Sequence, residues 1–151
     1  MLKGLDPILN AEVLHALRAM GHGDMLILSD VNFPSDAVAQ DTVLGELLRI
    51  DRPMAEVARA VLSVLPLDTF VDDFAGRMLM IDTPDTIPPV QQEVQDAIAT
   101  TGETRPMVGI ERFAFYDLAR QAYAVIQTGE RRFFGCIMLR KGVIAPPDEP
   151  K

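Results

Sequence analysis

The sequence predicts a single α/β domain in which a mixed β-sheet lies between helices on both of its faces. Short apolar runs alternate along the chain with segments of helical periodicity, a pattern typical of layered domains with helices on both sides of a sheet. The last two apolar runs are joined by a short connector containing glycine, which indicates an antiparallel pair. With 151 residues, 48% of them hydrophobic, the chain can form one domain with its own core.

The predicted helices have apolar residues spaced three or four apart. The first begins near Asn10, whose side chain can cap free backbone N–H groups, and ends at Gly21, because glycine adopts the left-handed conformation without penalty. Pro53 suits the first turn of the second helix. The later helices are predicted over residues 54–65, 90–98 and 113–121.

The predicted strands are mostly short apolar runs bounded by turn-forming residues. They cover residues 25–28, 42–50, 78–81, 107–110, 122–127 and 133–139, of which 42–50 has an ambiguous composition. Thr128-Gly129-Glu130 is predicted to join the last two strands as a hairpin. The proline-rich stretch 146–151 is expected to form a flexible tail, which leaves residues 1–145 as the domain.

The charge and cysteine content exclude several functional classes. A formal net charge of −8 repels phosphate backbones and anionic membranes, so we expect no nucleic-acid or membrane partner. No stretch approaches the ~20 apolar residues of a membrane span, and the N-terminus has no secretory cleavage pattern. The single cysteine, Cys136, forbids an internal disulfide and suits a reducing compartment, which predicts a cytoplasmic protein.

The first candidate site lies in two neighbouring motifs, Met-Gly-His-Gly-Asp at 20–24 and Ser-Asp-Val-Asn-Phe-Pro at 29–34. His22 stands between two glycines, and histidine can give or take a proton near neutral pH. Asp30 follows a predicted strand, where loops commonly line ligand crevices, and a carboxylate there can bind hydroxyl groups.

Alternative interpretations of these residues remain open. His22 could be a simple turn residue and Asp24 a cap, whereas His15 lies within the first helix and is interpreted as structural. With only two histidines and one cysteine, a metal site is disfavoured. The Gly-x-Gly does not fit a dinucleotide fingerprint, because it follows a helix and Leu26 occupies the third glycine position.

Two later segments contain further candidates. Arg112 precedes a predicted helix and could either pair with Glu111 or Asp117 or donate hydrogen bonds to a ligand. Cys136 is interpreted as a small buried apolar residue, because no neighbouring histidine or serine marks it as a nucleophile.

Taken together, the motifs resemble the D-ribose pyranase and L-fucose mutarotase (RbsD/FucU) family, and within it the fucose branch. The matching pieces are Met-Leu-Lys at 1–3, Met-Gly-His-Gly-Asp at 20–24, Ser-Asp-x-x-Phe-Pro at 29–34, Arg-Phe-Ala-Phe-Tyr at 112–116, Thr-Gly-Glu at 128–130 and Lys-Gly-Val at 141–143. Their order and spacing match over nearly the whole chain. The resemblance implies an RbsD-like three-layer α/β/α fold.

The resemblance also implies roles for individual residues. His22 matches the family's proton donor, and Asp30 and Arg112 match positions that bind the substrate. Phe134-Gly135-Cys136 stands where the family has a substrate-binding Tyr-x-Asn, so a phenol and an amide are absent here. Asn32 occupies a position where the fucose branch often has histidine.

The implied activity is that of an isomerase that interconverts the anomers or ring forms of a free monosaccharide such as L-fucose. Acid–base ring opening needs no cofactor and no metal. The family forms homo-oligomeric rings, commonly decamers, with sites where subunits meet. Two alternatives stay open: a sugar-binding or regulatory protein of the same fold that does not catalyse, and a structural ring protein without a sugar site.

Overall fold

A computed structural model of the protein describes residues 1–149, which form six strands and five helices. In chain order the elements are α1 (Ala11–Ala19), β1 (Met25–Ser29), α2 (Ser35–Ala39), β2 (Leu47–Ile50), α3 (Met54–Leu62), β3 (Ala75–Met78), α4 (Pro89–Ala99), β4 (Val108–Ile110), α5 (Arg112–Arg120), β5 (Ala124–Thr128) and β6 (Ile137–Arg140).

The six strands form one mixed sheet in the order β2-β5-β1-β6-β3-β4. β1 and β2 both pair in parallel with β5, and β3 pairs in parallel with β4, whereas β6 pairs antiparallel with both β1 and β3. Five strands therefore share one direction and β6 opposes them. We call the carboxyl edge the side of the sheet where β1–β5 end and β6 begins. The amino edge is the opposite side.

Side chains alternate between two hydrophobic clusters, one on each face of the sheet. Leu26 and Leu28 of β1 pack with α1, α3 and α4, whereas Ile27 packs with α2 and α5. Successive side chains of a strand point to opposite faces, so an uninterrupted apolar run requires cover on both sides. The predicted three-layer α/β/α domain with a mixed sheet is confirmed.

The start of α1 agrees with its prediction, but its end does not. The Asn10 side chain accepts a hydrogen bond from the Val13 N–H at 3.0 Å, as a helix N-cap does. The helix ends at Ala19 with Met20 as its C-cap, and the left-handed glycine of the following turn is Gly23, at φ 85°. The helix thus stops two residues before Gly21, and the left-handed conformation predicted for Gly21 occurs at Gly23 instead.

The predicted hairpin between the last two strands is wrong. β5 and β6 do run in opposite directions, but β1 lies between them and pairs with both. Residues 133–136, predicted as the start of the last strand, form a turn before β6 in which Phe134 has a φ of 59°. Local periodicity cannot reveal that a strand from the beginning of the chain, 98 positions before its partners in β5, will insert into the pair.

Three other elements differ from their predictions. β3 covers Ala75–Met78 instead of 78–81, and Ile81 is 62% exposed. β2 is limited to Leu47–Ile50 of the predicted 42–50, and the short helix α2 had no prediction. Gly76 and Arg77 interrupt the apolar run that would have indicated the start of β3.

The predicted tail begins in an exposed segment. Residues 146–149 form neither helix nor strand, and residues 150–151 lie outside the described part of the chain. The boundary at residue 145 and the flexibility of the tail stay predictions. None of the helices within residues 1–149 has the length and apolar character needed to cross a membrane.

Candidate functional site

Asp30 lies at the carboxyl edge, directly after β1, and is 4% exposed. Its Oδ1 accepts hydrogen bonds from the backbone N–H groups of Asn32 at 2.9 Å and Phe33 at 3.0 Å. Its Oδ2 accepts one from the Gly135 N–H at 3.0 Å. A carboxylate offers about four acceptor positions, so most of the capacity of Asp30 is used to organise its own loop and the turn before β6.

The turn before β6 is built around this carboxylate. Phe134 has a φ of 59°, which is a rare conformation for an aromatic residue. Its carbonyl accepts a hydrogen bond from the Gln91 amide at 2.8 Å, which fixes the strained peptide from the other side. A Cβ added at Gly135 would stand 3.2 Å from the Asp30 Cβ, so glycine lets the two segments approach.

Cys136 lies beside Asp30 but is not a nucleophile. Its thiol stands 3.7 Å from Asp30 Oδ2 and is buried. Burial raises the pKa of the Cys136 thiol, and the nearby Asp30 carboxylate adds to that effect. The thiol is therefore protonated at neutral pH and acts as a weak donor toward Asp30, in agreement with the sequence interpretation.

Arg112 reaches the same edge as the first residue of α5. Its guanidinium carbon lies 5.6 Å from the Phe113 ring centre and 5.7 Å from the Tyr116 ring centre. Tyr116 in turn stacks on Phe33 with ring centres 5.0 Å apart and an angle of 20°. An aromatic bridge thus links Arg112 to the loop that Asp30 organises.

Of the two alternatives for Arg112, ion pairing with Glu111 or Asp117 does not occur. Glu111 caps α5 instead, accepting hydrogen bonds from the Phe113 and Ala114 N–H groups, and these bonds lower the pKa of Glu111. Asp117 pairs with Arg120 at 3.2 Å. Because no carboxylate within residues 1–149 pairs with Arg112, its five N–H donors are available to a ligand.

One wall of the carboxyl edge is held by Glu130, which follows β5. Its carboxylate accepts hydrogen bonds from the backbone N–H and the guanidinium of Arg132, and Arg132 also binds Glu93 with two bonds of 2.8 Å. The hydrogen bond from the Arg132 side chain is the main reason that the pKa of Glu130 falls to about 2. Glu130 is therefore negatively charged at neutral pH and stabilises the turn through Arg132.

Sequence reasoning missed three residues of this edge. Tyr116 lies four positions after Arg112 and so on the same side of a helix, which is a signal that could have been used. Gln91 is joined to the site by its hydrogen bond to the Phe134 carbonyl, 43 positions away. Glu130 binds Arg132 two positions later, but its hydrogen bond from the Met54 N–H spans 76 positions. No local pattern indicates such contacts.

His22 lies at the amino edge, in the turn between α1 and β1. Its Nε2 is 3.0 Å from Asp68 Oδ2, and its ring meets that of Phe70 edge-on at 6.0 Å. The side chain of His22 is 48% exposed and that of Asp68 only 4%. Asp24 closes the turn by accepting a hydrogen bond from the Gly21 N–H at 2.7 Å, which is the capping role that the sequence left open.

One copy of the chain does not bring all of the candidate residues together. Asp30, Arg112 and residues 134–136 share the carboxyl edge, whereas His22 lies beyond the other end of β1. The four residue-to-residue steps of that strand alone separate the two edges by about 13 Å. His15 is exposed on α1. In the described residues, no cluster of three or more His, Cys, Asp or Glu side chains could hold a metal ion.

The chain is similar to proteins of known family over almost its full length. Residues 3–144 match the RbsD / FucU transport protein family. The human fucose mutarotase is 38% identical over 147 residues, which is 95% of each chain.

Two solved structures superpose closely. Atu2016, a suggested sugar-binding protein, is 59% identical and has a TM-score of 0.93, with 96% of this chain and 97% of that one covered. The fucose mutarotase of Streptococcus pneumoniae in complex with L-fucose is 31% identical, with a TM-score of 0.84 and coverages of 95% and 100%.

Proposed function

Since the chain belongs to the RbsD / FucU transport protein family, we propose that it is a monosaccharide mutarotase that interconverts the anomers of a free sugar such as L-fucose. The observation that carries this proposal is the carboxyl edge, where Asp30, Arg112 and the turn 134–136 converge from three distant segments. A few polar groups set among aromatic rings are what a small polar ligand requires for orientation.

The proposed chemistry is a ring opening followed by closure on the other face of the anomeric carbon. One acid gives a proton to the ring oxygen while one base takes the proton of the anomeric hydroxyl, so that the C1–O bond breaks and a C1 carbonyl forms. Rotation about the C1–C2 bond and the reverse proton transfers give the other anomer. Atoms and charges balance without cofactor or metal, and each positioned acid or base contributes roughly 10²–10⁴-fold.

We assign the ring-oxygen proton to His22. Arg112 holds hydroxyl groups with its unpaired guanidinium, and Asp30 contributes its remaining acceptor capacity while fixing the Gly135 backbone. Phe134 presents an apolar ring to the sugar at the position where the family has a tyrosine. Tyr116 is the tyrosine of the carboxyl edge, since Tyr123 precedes β5 at the amino edge, and its phenol is our candidate for the second proton-transfer group.

The complete site is proposed to need two copies of the chain. His22 and Asp30 lie at opposite edges of the sheet in one copy, so a sugar can contact both only if two subunits meet. Both edges carry exposed large apolar side chains suited to such contacts: Phe70, Val143 and Ile144 at the amino edge, and Val31, Phe113 and Phe133 at the carboxyl edge. A head-to-tail contact of two different surfaces forms a ring when the rotation between successive subunits closes, and the expected decamer would be such a ring.

A non-catalytic sugar-binding protein is the second candidate function. Its support is the substitution at the turn before β6, where Phe134 supplies no hydroxyl and Cys136 no amide. In that case Arg112 and Asp30 would still bind the sugar, but no acid–base pair would open its ring. For either function we propose a cytoplasmic setting, because the one cysteine is buried as a free thiol.

Magnetisation-exchange NMR on L-fucose, D-ribose and other free sugars tests the activity directly. We expect the protein to accelerate anomer exchange of one sugar and His22→Ala to lower that acceleration by roughly 10²-fold or more. His15→Ala is the matched control and should leave the rate unchanged. Binding without acceleration across the panel would establish the second candidate instead, and an unchanged rate in His22→Ala would refute the role of His22.

Mixing two inactive variants tests the two-copy site. His22→Ala keeps an intact carboxyl edge and Arg112→Ala an intact amino edge, so mixed oligomers should recover about a quarter of the wild-type sites if subunits assort randomly. The mixture is dissociated and reassembled before the exchange measurement. If His22 and Arg112 acted within one subunit, no activity would return.

A further inference from the structure

The contacts of His22 point to a residue that neither the sequence motifs nor the carboxyl edge includes. Asp68 lies 46 positions from His22 and places its Oδ2 3.0 Å from His22 Nε2. We propose that Asp68 is a positioning residue that fixes the ring orientation and the tautomer of His22 for proton transfer. This inference rests on the proposed function, because it requires His22 to exchange a proton with the sugar.

The carboxylate of Asp68 is held firmly before it meets His22. Its side chain is 4% exposed, and its Oδ1 accepts a hydrogen bond from the Phe70 N–H at 3.3 Å. The Asp68 N–H donates to the Arg140 carbonyl at 3.0 Å, and the Gly142 N–H donates to the Pro66 carbonyl at 2.8 Å. The Asp68 segment is thus fixed to the end of β6, at the centre of the sheet.

Gly142 shows how tightly this segment is packed. A Cβ added at Gly142 would lie 2.3 Å from the Leu67 carbonyl oxygen and 2.9 Å from the Asp68 Cα. Only glycine therefore allows the chain before Asp68 to approach β6 this closely. The close packing of this segment against β6 keeps Asp68 within hydrogen-bond distance of His22.

The direction of the hydrogen bond assigns a task to each ring nitrogen of His22. An ionised carboxylate can only accept hydrogen bonds. His22 Nε2 is therefore protonated, and its N–H donates a hydrogen bond to Asp68 Oδ2. In the neutral ring Nδ1 then has a free lone pair, and within residues 1–149 no protein group is bonded to it. Nδ1 is consequently the atom that gives the proton to the ring oxygen of the sugar and takes it back. The Nε2–H group stays hydrogen-bonded to Asp68 in both the charged and the neutral form of His22.

A carboxylate in this arrangement acts as the orienting member of a catalytic triad does, by holding the tautomer and stabilising the imidazolium. Phe70 adds a second constraint, since its ring meets His22 edge-on at 6.0 Å. Two residues of one loop thus restrict rotation of a half-exposed side chain. The side chain of His22 therefore loses its rotational entropy during folding and not when the sugar binds.

Asp68→Asn separates positioning from folding. An asparagine can still accept from the Phe70 N–H through its carbonyl oxygen, but its NH₂ group would face His22 Nε2. That ring nitrogen would then have to accept, which moves the proton to Nδ1 and removes the free lone pair. Asp72→Asn is the matched control, because it removes the same charge from a fully exposed position four residues further on.

Solid-state NMR of sedimented protein with ¹⁵N-labelled histidine reads the tautomer directly, since only His15 and His22 are labelled. We expect a protonated Nε2 on neutral His22 in the wild type and in Asp72→Asn, and a protonated Nδ1 in Asp68→Asn. In exchange measurements kcat should fall about 10-fold or more in Asp68→Asn while KM changes less than about 3-fold.

The outcomes distinguish this inference from the proposed function. If His22→Ala abolishes exchange while Asp68→Asn retains the wild-type rate or the wild-type tautomer, Asp68 does not position His22 and the mutarotase proposal stands. If His22→Ala exchanges the sugar as fast as the wild type, the function of His22 is refuted whatever the tautomer. A wild-type ring protonated at Nδ1 would also overturn the inference.

Discussion

The two edges of the sheet differ in how firmly their polar groups are held. At the carboxyl edge Asp30 and Glu130 are buried and each accepts several hydrogen bonds from the protein. At the amino edge His22 is half-exposed, and its ring has one polar partner within residues 1–149, Asp68. The carboxyl edge is therefore a framework fixed by hydrogen bonds between distant segments, whereas the amino edge presents one oriented side chain outward. Stability should depend mainly on the first edge, and proton transfer on the second.

Asp30→Ala should have the largest effect on stability. The change leaves the N–H groups of Asn32, Phe33 and Gly135 without their acceptor, and each unsatisfied buried group costs about 1–3 kcal/mol. We expect the free energy of unfolding in urea to fall by about 3–5 kcal/mol. Asp85→Ala, at an exposed loop position, should change it by less than about 0.5 kcal/mol. Similar values for both variants would show that the carboxyl edge is not the rigid one.

Glu130→Gln should have the next largest effect, and its size should depend on pH. The folded pKa of Glu130 is about 2, below the ordinary value of 4.5, foremost because Arg132 donates hydrogen bonds to it. A lowered folded pKa adds stability above about pH 4.5, and that stability is lost as the pH falls toward 2. The shift corresponds to at most roughly 3 kcal/mol.

Denaturation curves at several pH values check this dependence. We expect the wild type to exceed Glu130→Gln in stability at pH 7 and the difference to shrink steadily between pH 4.5 and 2. The exposed Glu46→Gln serves as the control, because it makes the same side-chain change at a surface position. A difference between wild type and Glu130→Gln that stayed constant down to pH 2 would contradict the proposed charge on Glu130.

Lys141→Met should have the smallest effect of the three and sharpens the account of the amino edge. The Lys141 ammonium donates to the carbonyls of Leu17 and Met20, at the end of the helix that precedes His22. Burial lowers the pKa of Lys141, which offsets part of its benefit. We expect a loss of about 1 kcal/mol in the free energy of unfolding. A loss as large as that of Asp30→Ala would show that stability depends on the amino edge as much as on the carboxyl edge.

The layered fold could be predicted because it follows from the strands and helices with the strongest hydrophobic periodicity. The buried run at Leu26 and the apolar stripe of α3 carry their own signal, and the structure has both. The order of the strands could not be predicted in the same way, since β6 pairs with β1 across more than 100 residues. Pairing at that distance depends on packing of the whole domain and leaves no mark on the local pattern.

The candidate site was predictable only where a motif carries it. Asp30 and Arg112 were identified from their motifs, and the structure places both at one edge. Asp68 was missed because a single acidic residue before an exposed Thr-Phe pair resembles any loop residue. His22 and Asp30 lie at opposite edges of the sheet because the five residues of β1 separate them. The sequence predicts that strand, but the family motifs place both residues in one site and give no sign of the separation.

The position of β6 also has a consequence for how the chain folds. β6 follows every other strand in the chain, yet it fills the space between β1 and β3. Until it is synthesised, two apolar strand edges at the middle of the sheet have unpaired N–H and C=O groups, which is a hazard for aggregation. Folding must wait for contacts of long sequence separation, and these slow the search for the native state. Nascent chains that stop before residue 137 should therefore depend on chaperones, however complete their helices are.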